Sequence, residues 1–96
     1  MNLKQLKEKY KNSKPDSILE TGIALTVKIQ KAVNLYEIVL EDDSGTLEAA
    51  AINTGVFKIL KEKAQTDNSV TVKGFLTKTE FETLGFEVEE VTEMTG

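Results

Sequence analysis

The chain has 96 residues, of which 40% are hydrophobic, and a formal net charge of −4, so we expect one domain with a modest core. It contains no Cys, His, Trp or Arg, which excludes disulfides, thiolate metal sites and the commonest general bases. No segment approaches the ~20 apolar residues of a membrane helix and no signal-like stretch is present, so a cytoplasmic protein without membrane partners is expected.

Charge is distributed unevenly along the chain. Residues 1–14 carry five lysines and one glutamate, a net charge of +4, whereas the remainder carries seven lysines against fifteen acids, a net charge of −8. A basic segment in front of an acidic body indicates two parts with different surface chemistry. We therefore predict a basic N-terminal helical segment at residues 1–14 and a main domain at residues 17–93.

The N-terminal segment has the pattern of a short amphipathic helix. Leu3, Leu6 and Tyr10 recur at helical spacing, and lysines occupy the other faces. The pattern predicts a helix over residues 2–12 that docks by its apolar side. Pro15 ends this helix because the residue before a proline is restricted to extended conformations.

Two segments then alternate between apolar and polar residues, which is typical of strands with one packed face. Strand 1 is predicted over residues 23–33, preceded by Thr21-Gly22, and strand 2 over residues 36–41, with a short turn at Asn34 between them. The predicted inward positions are Ile23, Leu25, Val27 and Ile29 in strand 1, and Tyr36, Ile38 and Leu40 in strand 2.

A tight turn is predicted at Asp42-Asp43-Ser44-Gly45, because Asp and Ser side chains accept backbone hydrogen bonds and Gly supplies positive φ. The turn is not an EF-hand loop, since position 12 counted from Asp42 is Asn53 and not Glu. We therefore expect no metal. Strand 3 follows, with Leu47, Ala49 and Ala51 inward and Glu48, Ala50 and Ile52 outward. Small inward residues suit a narrow barrel.

In the second half of the chain the spacing of the apolar residues first becomes helical and then alternates again, as in strands. The predicted elements are a helix over residues 54–65, strand 4 over 70–78, a loop over 79–83 and strand 5 over 84–91. Asn53 or Thr54 is expected to cap the helix, and Gly74 to form a bulge that bends strand 4. Phe57 and Phe86 are expected in the core, and residues 93–96 are expected to fray.

This order of elements predicts an all-β fold: a five-stranded OB-fold barrel with a helix between strands 3 and 4 and a short N-terminal helix. An SH3-like barrel is the competing fold, but a three-turn helix after strand 3 is unusual there. A ferredoxin-like fold requires two βαβ crossovers, whereas one internal helix is predicted.

The predicted hairpin also carries a family resemblance. Leu40-Glu41-Asp42-Asp43-Ser44-Gly45, followed by Leu47, Ala49, Ala51 and Asn53, resembles the strand 2–3 hairpin of replication protein A-type OB domains. It is also similar to OB domains of the anticodon-binding kind. The resemblance implies binding of single-stranded nucleic acid, DNA in preference to RNA, across the outer faces of strands 2 and 3 and the adjoining 1–2 and 4–5 loops.

The resemblance implies roles for two kinds of residue. Tyr36 lies where replication protein A domains carry a stacking aromatic, and Phe81 lies in the 4–5 loop, so both are expected to stack on bases. The lysines expected to contact the nucleic-acid backbone are Lys28, Lys31, Lys73 and Lys78. Whether the N-terminal lysines also take part stays open at this point.

A second hypothesis remains, because the predicted outer face of strands 2 and 3 is acidic and apolar, and would repel phosphate. An OB-fold adaptor would instead bind another protein through Val39, Glu48, Ala50 and Ile52. Neither hypothesis is enzymatic. No glycine-rich phosphate loop is present and no carboxylate pair stands out, so neither catalytic residues nor a cofactor are expected.

Overall fold

The structure, a computed structural model, describes residues 2–93, and within this range the chain forms two helices and five strands. In chain order they are α1 (Leu3–Lys9), β1 (Ser17–Asn34), β2 (Glu37–Asp42), β3 (Gly45–Ala51), α2 (Thr54–Ala64), β4 (Val70–Lys78) and β5 (Leu84–Glu93). The predicted order and type of the elements are confirmed. Residues 93–96 were expected to fray. Of these, Glu93 is the last residue of β5, and residues 94–96 lie outside the described residues.

The five strands form one sheet that closes in a ring, in the order β1-β2-β3-β5-β4. β1 is 18 residues long and pairs antiparallel with β4 along its first part and with β2 along its last part. The β2–β3 and β4–β5 pairs are antiparallel, whereas β3 and β5 are parallel. The chain is therefore mostly β, and every strand has a hydrogen-bonded neighbour on both sides.

The ring encloses an apolar core that matches most of the predicted inward positions. Buried positions alternate along β1, β2 and β3, and Leu40 is 0% exposed. Phe86 is buried as predicted, whereas Phe57 is only half-buried, packed against the core from α2. Tyr36 was expected to point inward but is 84% exposed, because β2 begins only at Glu37.

β1 begins six residues earlier than predicted. Gly22 has a positive φ of 69°, and the pairing with β4 shifts register between Glu20 and Ile23. This irregularity interrupts the two-residue period, so the first part of the strand lacks the alternation that identifies strands in a sequence. Thr21-Gly22 therefore lies inside β1 and does not precede it.

Gly74 lies at a bulge, but the extra residue is in the neighbouring strand. Lys73 pairs with Glu90 and Gly74 pairs with Val88, so β5 carries one additional residue, Glu89. A Cβ atom on Gly74 would lie 1.7 Å from the carbonyl oxygen of Glu87. Glycine is required here because the two backbones approach too closely for any side chain.

α2 is capped by Asn53, one of the two predicted residues. The Asn53 side-chain oxygen accepts the Val56 N–H at 2.9 Å, which satisfies one of the backbone donors that a helix leaves free at its start. Leu60 of α2 is buried in the same core as the strands. No helix within residues 2–93 is long and apolar enough to cross a membrane.

We expect Gly74→Ala to lower the free energy of unfolding by about 3 kcal/mol or more, the upper range for overpacking, because the new methyl group collides with backbone. Gly85→Ala is the matched control in the adjacent strand, since its Cβ would meet nothing closer than 3.6 Å. We expect that control to change stability by less than about 1 kcal/mol. Urea unfolding measures both, and equal effects would contradict the close-approach explanation.

Candidate nucleic-acid interface

The turn between β2 and β3 binds the first turn of α1. The Leu3 N–H donates to Asp42 Oδ2 at 2.9 Å, and the Lys4 N–H donates to Ser44 Oγ at 3.0 Å. Asp42 Oδ1 in turn accepts the backbone N–H of Ser44 at 2.7 Å and its hydroxyl. Residues about forty positions away in the sequence thus supply partners for backbone donors that a helix cannot satisfy internally.

The remaining donors of that first turn are satisfied by Asn2. Its side-chain oxygen accepts the Gln5 N–H at 2.8 Å while Gln5 Oε1 accepts the Asn2 N–H, a capping box. A helix of seven residues is too short to be stable alone, so packing must hold it. Leu3 and Leu6 provide that packing, since they are 0% and 1% exposed and belong to the same core as the strands. The predicted docking by the apolar side is confirmed.

Lys78 holds the other end of this segment. Its side chain is 4% exposed, and its ammonium group donates to the carbonyl oxygens of Lys11 at 3.0 Å and Ser13 at 2.9 Å. The ammonium group is therefore used inside the protein, whereas Lys78 was predicted to contact the nucleic-acid backbone. Polar residues of the sheet thus fix α1 at its start and the backbone that follows it.

The Asp42 carboxyl is held in its ionised form. Partial burial opposes ionisation, but hydrogen bonds from the Ser44 side chain and from the backbone N–H groups of Leu3, Ser44 and Gly45 outweigh it. The pKa of Asp42 is consequently below its ordinary value. A charged acceptor makes a stronger hydrogen bond than a neutral one, which favours the docked position of α1.

A groove crosses the outer surface of β2 and β3. Among the described residues, three adjoining depressions on this surface share Glu48 as a lining residue. They are bounded by α1, by the β1–β2 loop and by the 79–83 loop. We call this surface the Glu48 groove, and its defining residues are Lys7, Lys11, Lys31, Tyr36, Val39, Glu48, Ala50, Thr79 and Thr83.

The strand register sets the charges in the groove. Lys31 of β1 pairs with Val39 of β2, which pairs with Glu48 of β3, so these side chains form one row across three strands. Lys31 Nζ also lies 3.3 Å from Glu37 Oε2. Lys7 and Lys11 line the opposite side, between the α1 segment and β3. Cations therefore border the groove on two sides, and Glu48 lies between them. The groove is also lined by the carboxylates of Glu37, Glu82 and Glu87.

Within residues 2–93, Tyr36 and Phe81 are the most exposed aromatic side chains, at 84% and 80%. Tyr36 lines the groove, and its N–H donates to Asn34 Oδ1 at 2.8 Å, which fixes the β1–β2 loop. Phe81 does not line the groove but lies in the loop whose Thr79 and Thr83 do. Those two hydroxyls are 2.7 Å apart, so the loop is held by its own hydrogen bonds.

Two of the lysines predicted to bind phosphate lie outside the groove. Lys28 Nζ is 3.2 Å from Asp67 Oδ1, and its neighbours in the row across the sheet are Glu41 and then Thr46. Lys73 is exposed on β4, beside Glu90. Of the four predicted lysines, Lys31 is therefore the one that is exposed and borders the groove.

The residues of the adaptor hypothesis lie on the same surface. Val39, Glu48 and Ala50 line the groove, and Ile52 is 53% exposed just beyond the end of β3. Lys7 and Lys11 were visible in the sequence only as members of a basic segment. Nothing local places that segment against strand 3, because its position depends on the contacts made by Asp42 and Lys78.

No protein-family model matches the sequence, and no curated protein is significantly similar to it. Within the part of the chain that is described, no group of acidic side chains is arranged to hold a metal ion. The groove offers a ligand an exposed aromatic ring, ammonium groups at its borders, threonine hydroxyls, a central carboxylate at Glu48 and further carboxylates around it. This combination of groups is suited to binding.

We expect Asp42→Ala to lower the free energy of unfolding by about 1–3 kcal/mol, because it leaves donors of α1 and the turn unsatisfied. The neighbouring Asp43→Ala makes the same change in charge at an exposed position and should cost less than about 0.5 kcal/mol. Chemical unfolding of both variants measures the difference. Equal losses would show that charge, and not the bonds to α1, is responsible.

The same variant has an expected pH dependence. Because the pKa of Asp42 is lowered in the folded state, its stabilising contribution is complete above the ordinary Asp pKa, about 4. The contribution is lost as pH falls through the folded value. The stability difference between the wild-type chain and Asp42→Ala should therefore be constant near neutral pH and shrink in acid, and a difference that widens in acid would contradict this.

Proposed function

We propose that this chain is an OB-fold protein that binds single-stranded DNA through the Glu48 groove. The strand order, the parallel pairing of β3 with β5 and the position of α2 between β3 and β4 support the OB-fold assignment. OB-folds bind oligonucleotides on the face of strands 2 and 3, between the 1–2 and 4–5 loops. The Glu48 groove occupies the corresponding position.

The observation that carries the proposal is the pair of exposed aromatic rings in the two bordering loops. Tyr36 and Phe81 bury little of their apolar surface in the protein. Proteins that bind single strands use such rings as platforms, because every base has a π-face that can stack. Tyr36 shares part of the groove with Thr79 and Thr83, which flank Phe81, so a strand that crosses the groove meets both loops.

The lysines at the border provide the charge for the DNA backbone. Lys7, Lys11 and Lys31 lie on two sides of the groove, with Glu48 between them. Few phosphates are neutralised by this set, and the body of the protein is acidic, so the affinity should be modest and its dependence on salt shallow. The preference for DNA over RNA rests on the resemblance of the β2–β3 hairpin to replication protein A-type domains.

The adaptor function is a second candidate, favoured by the acidic side chains of the β2–β3 surface and by the exposure of Ile52. Glu48→Lys separates the two candidates because it reverses the central charge. A DNA-binding groove should bind an oligothymidine more tightly after this change. A protein-binding face would instead lose its partner, and oligonucleotide binding would be absent in both forms.

We expect Tyr36→Ala and Phe81→Ala each to weaken binding of a short fluorescent single-stranded oligonucleotide by about 1–3 kcal/mol, the usual value of one base–aromatic stack. Tyr36→Phe keeps the ring and should change affinity little. Fluorescence anisotropy at low salt measures all three. If Tyr36→Phe loses as much affinity as Tyr36→Ala, the hydroxyl and not the ring makes the contact.

The salt dependence of binding tests the lysines. Each neutralised phosphate of a single strand contributes about −0.7 to the slope of log K against log salt concentration, so three engaged lysines give about −2. Lys7→Gln and Lys11→Gln should each make the slope shallower by about 0.7. Lys58→Gln on α2, which is exposed and outside the groove, is the matched control. A slope that changes equally in all three variants would indicate a non-specific effect of net charge.

A further inference from the structure

Glu48 has a central position in the groove. It lies in all three depressions of the groove, and its side chain is exposed while Leu47 and Ala49 on either side are buried. Among residues 2–93, its carboxylate takes part in no ion pair or side-chain hydrogen bond. By contrast, the neighbouring Glu37 lies 3.3 Å from the ammonium group of Lys31. Glu82 and Glu87 each line one part of the groove, whereas Glu48 lines all three depressions, so Glu48 is the carboxylate that a ligand meets at the centre.

The charges orient a bound strand. A phosphate placed over Glu48 is repelled, whereas the ammonium groups of Lys7, Lys11 and Lys31 lie at the borders. The arrangement of lowest energy keeps the phosphates at the borders and turns the bases toward the centre. In a single strand the Watson–Crick edge of a base is free for recognition, so the group that faces Glu48 is a base edge.

The chemistry of a carboxylate then selects among the bases. An ionised carboxylate only accepts hydrogen bonds, through two oxygens. Guanine presents two adjacent donors on its Watson–Crick edge, N1–H and the N2 amino group, which match the two oxygens. Adenine and cytosine each present one amino group beside an acceptor nitrogen, and thymine presents one N–H between two carbonyl oxygens.

We propose that Glu48 gives the groove a preference for guanine in single-stranded DNA, by accepting hydrogen bonds from N1–H and the N2 amino group. This inference rests on the proposed function and specifies its ligand. Thymine meets the same carboxylate with two acceptors, which leaves it the least favoured base.

The experiment compares short labelled oligothymidines whose central nucleotides are thymidine, deoxyguanosine or deoxyinosine. Each is titrated with the protein at low salt, and binding is followed by fluorescence anisotropy. The wild-type chain should bind the guanine oligonucleotide roughly 5- to 150-fold more tightly than the thymine one, the range for one bidentate contact to a base. Inosine, which lacks the N2 amino group, should bind between the two.

Two variants complete the test. Glu48→Gln should bind the thymine oligonucleotide more tightly than the wild-type chain does and lose the preference for guanine, since an amide offers one acceptor and one donor group. Glu87→Gln is the matched control, because Glu87 also lines the groove beside Tyr36 and the charge change is the same. It should raise affinity for all the oligonucleotides alike and keep the preference.

The outcomes are distinct. Equal affinity of the wild-type chain for guanine and thymine, or a preference that persists in Glu48→Gln, overturns the role of Glu48 while DNA binding stands. Failure to bind any of the oligonucleotides overturns the proposed function itself, and this inference with it. Because Glu48 is exposed, its variant should unfold at the same urea concentration as the wild-type chain.

Discussion

The bonds between the β2–β3 turn and the first turn of α1 determine the shape of the candidate site. Asp42 and Ser44 accept two N–H groups of α1, which places the helix on the sheet at the end of the β2–β3 hairpin. Leu3 and Leu6 then complete the core, and Lys78 holds the backbone beyond the helix. Without this docking the β2–β3 surface would have no wall on that side, and the basic segment would not border it.

The closed ring supplies the rigid part of the site. β1 pairs with two strands because it is long, and the small inward residues Ala49 and Ala51 let β3 curve. The bulge opposite Gly74 brings β4 and β5 close together. The loops that carry Tyr36 and Phe81 therefore start from a fixed frame.

The strands and helices were predicted correctly wherever apolar and polar residues followed a regular spacing. Alternation identified β2 and the core position of Leu40, and the change of period identified α2. The first part of β1 was missed because its register shift around Gly22 breaks the alternation. The bulge was assigned to the wrong strand, since the close approach of Gly74 to Glu87 is a tertiary contact that neither segment encodes alone.

The site was less accessible to sequence reasoning. Charge and residue type identified candidate lysines but not which of them share a surface, because that depends on strand register. Lys31 and Lys73 look alike in the sequence, yet the first borders the groove and the second lies beside Glu90 on β4. Lys78 carries the same charge but is turned inward to backbone carbonyls. The spacing of hydrophobic residues does not indicate that a lysine is buried and bound to backbone carbonyls.

We propose that a single strand binds in the Glu48 groove, which α1 borders on one side. The most direct measurement is an NMR titration of the isotope-labelled chain with a single-stranded guanine-containing oligonucleotide, followed through backbone amide signals. We expect progressive shifts at Lys7, Tyr36, Glu48 and Thr83, and little change at Lys73. Shifts centred on β4 around Lys73, or none anywhere at low salt, would contradict it.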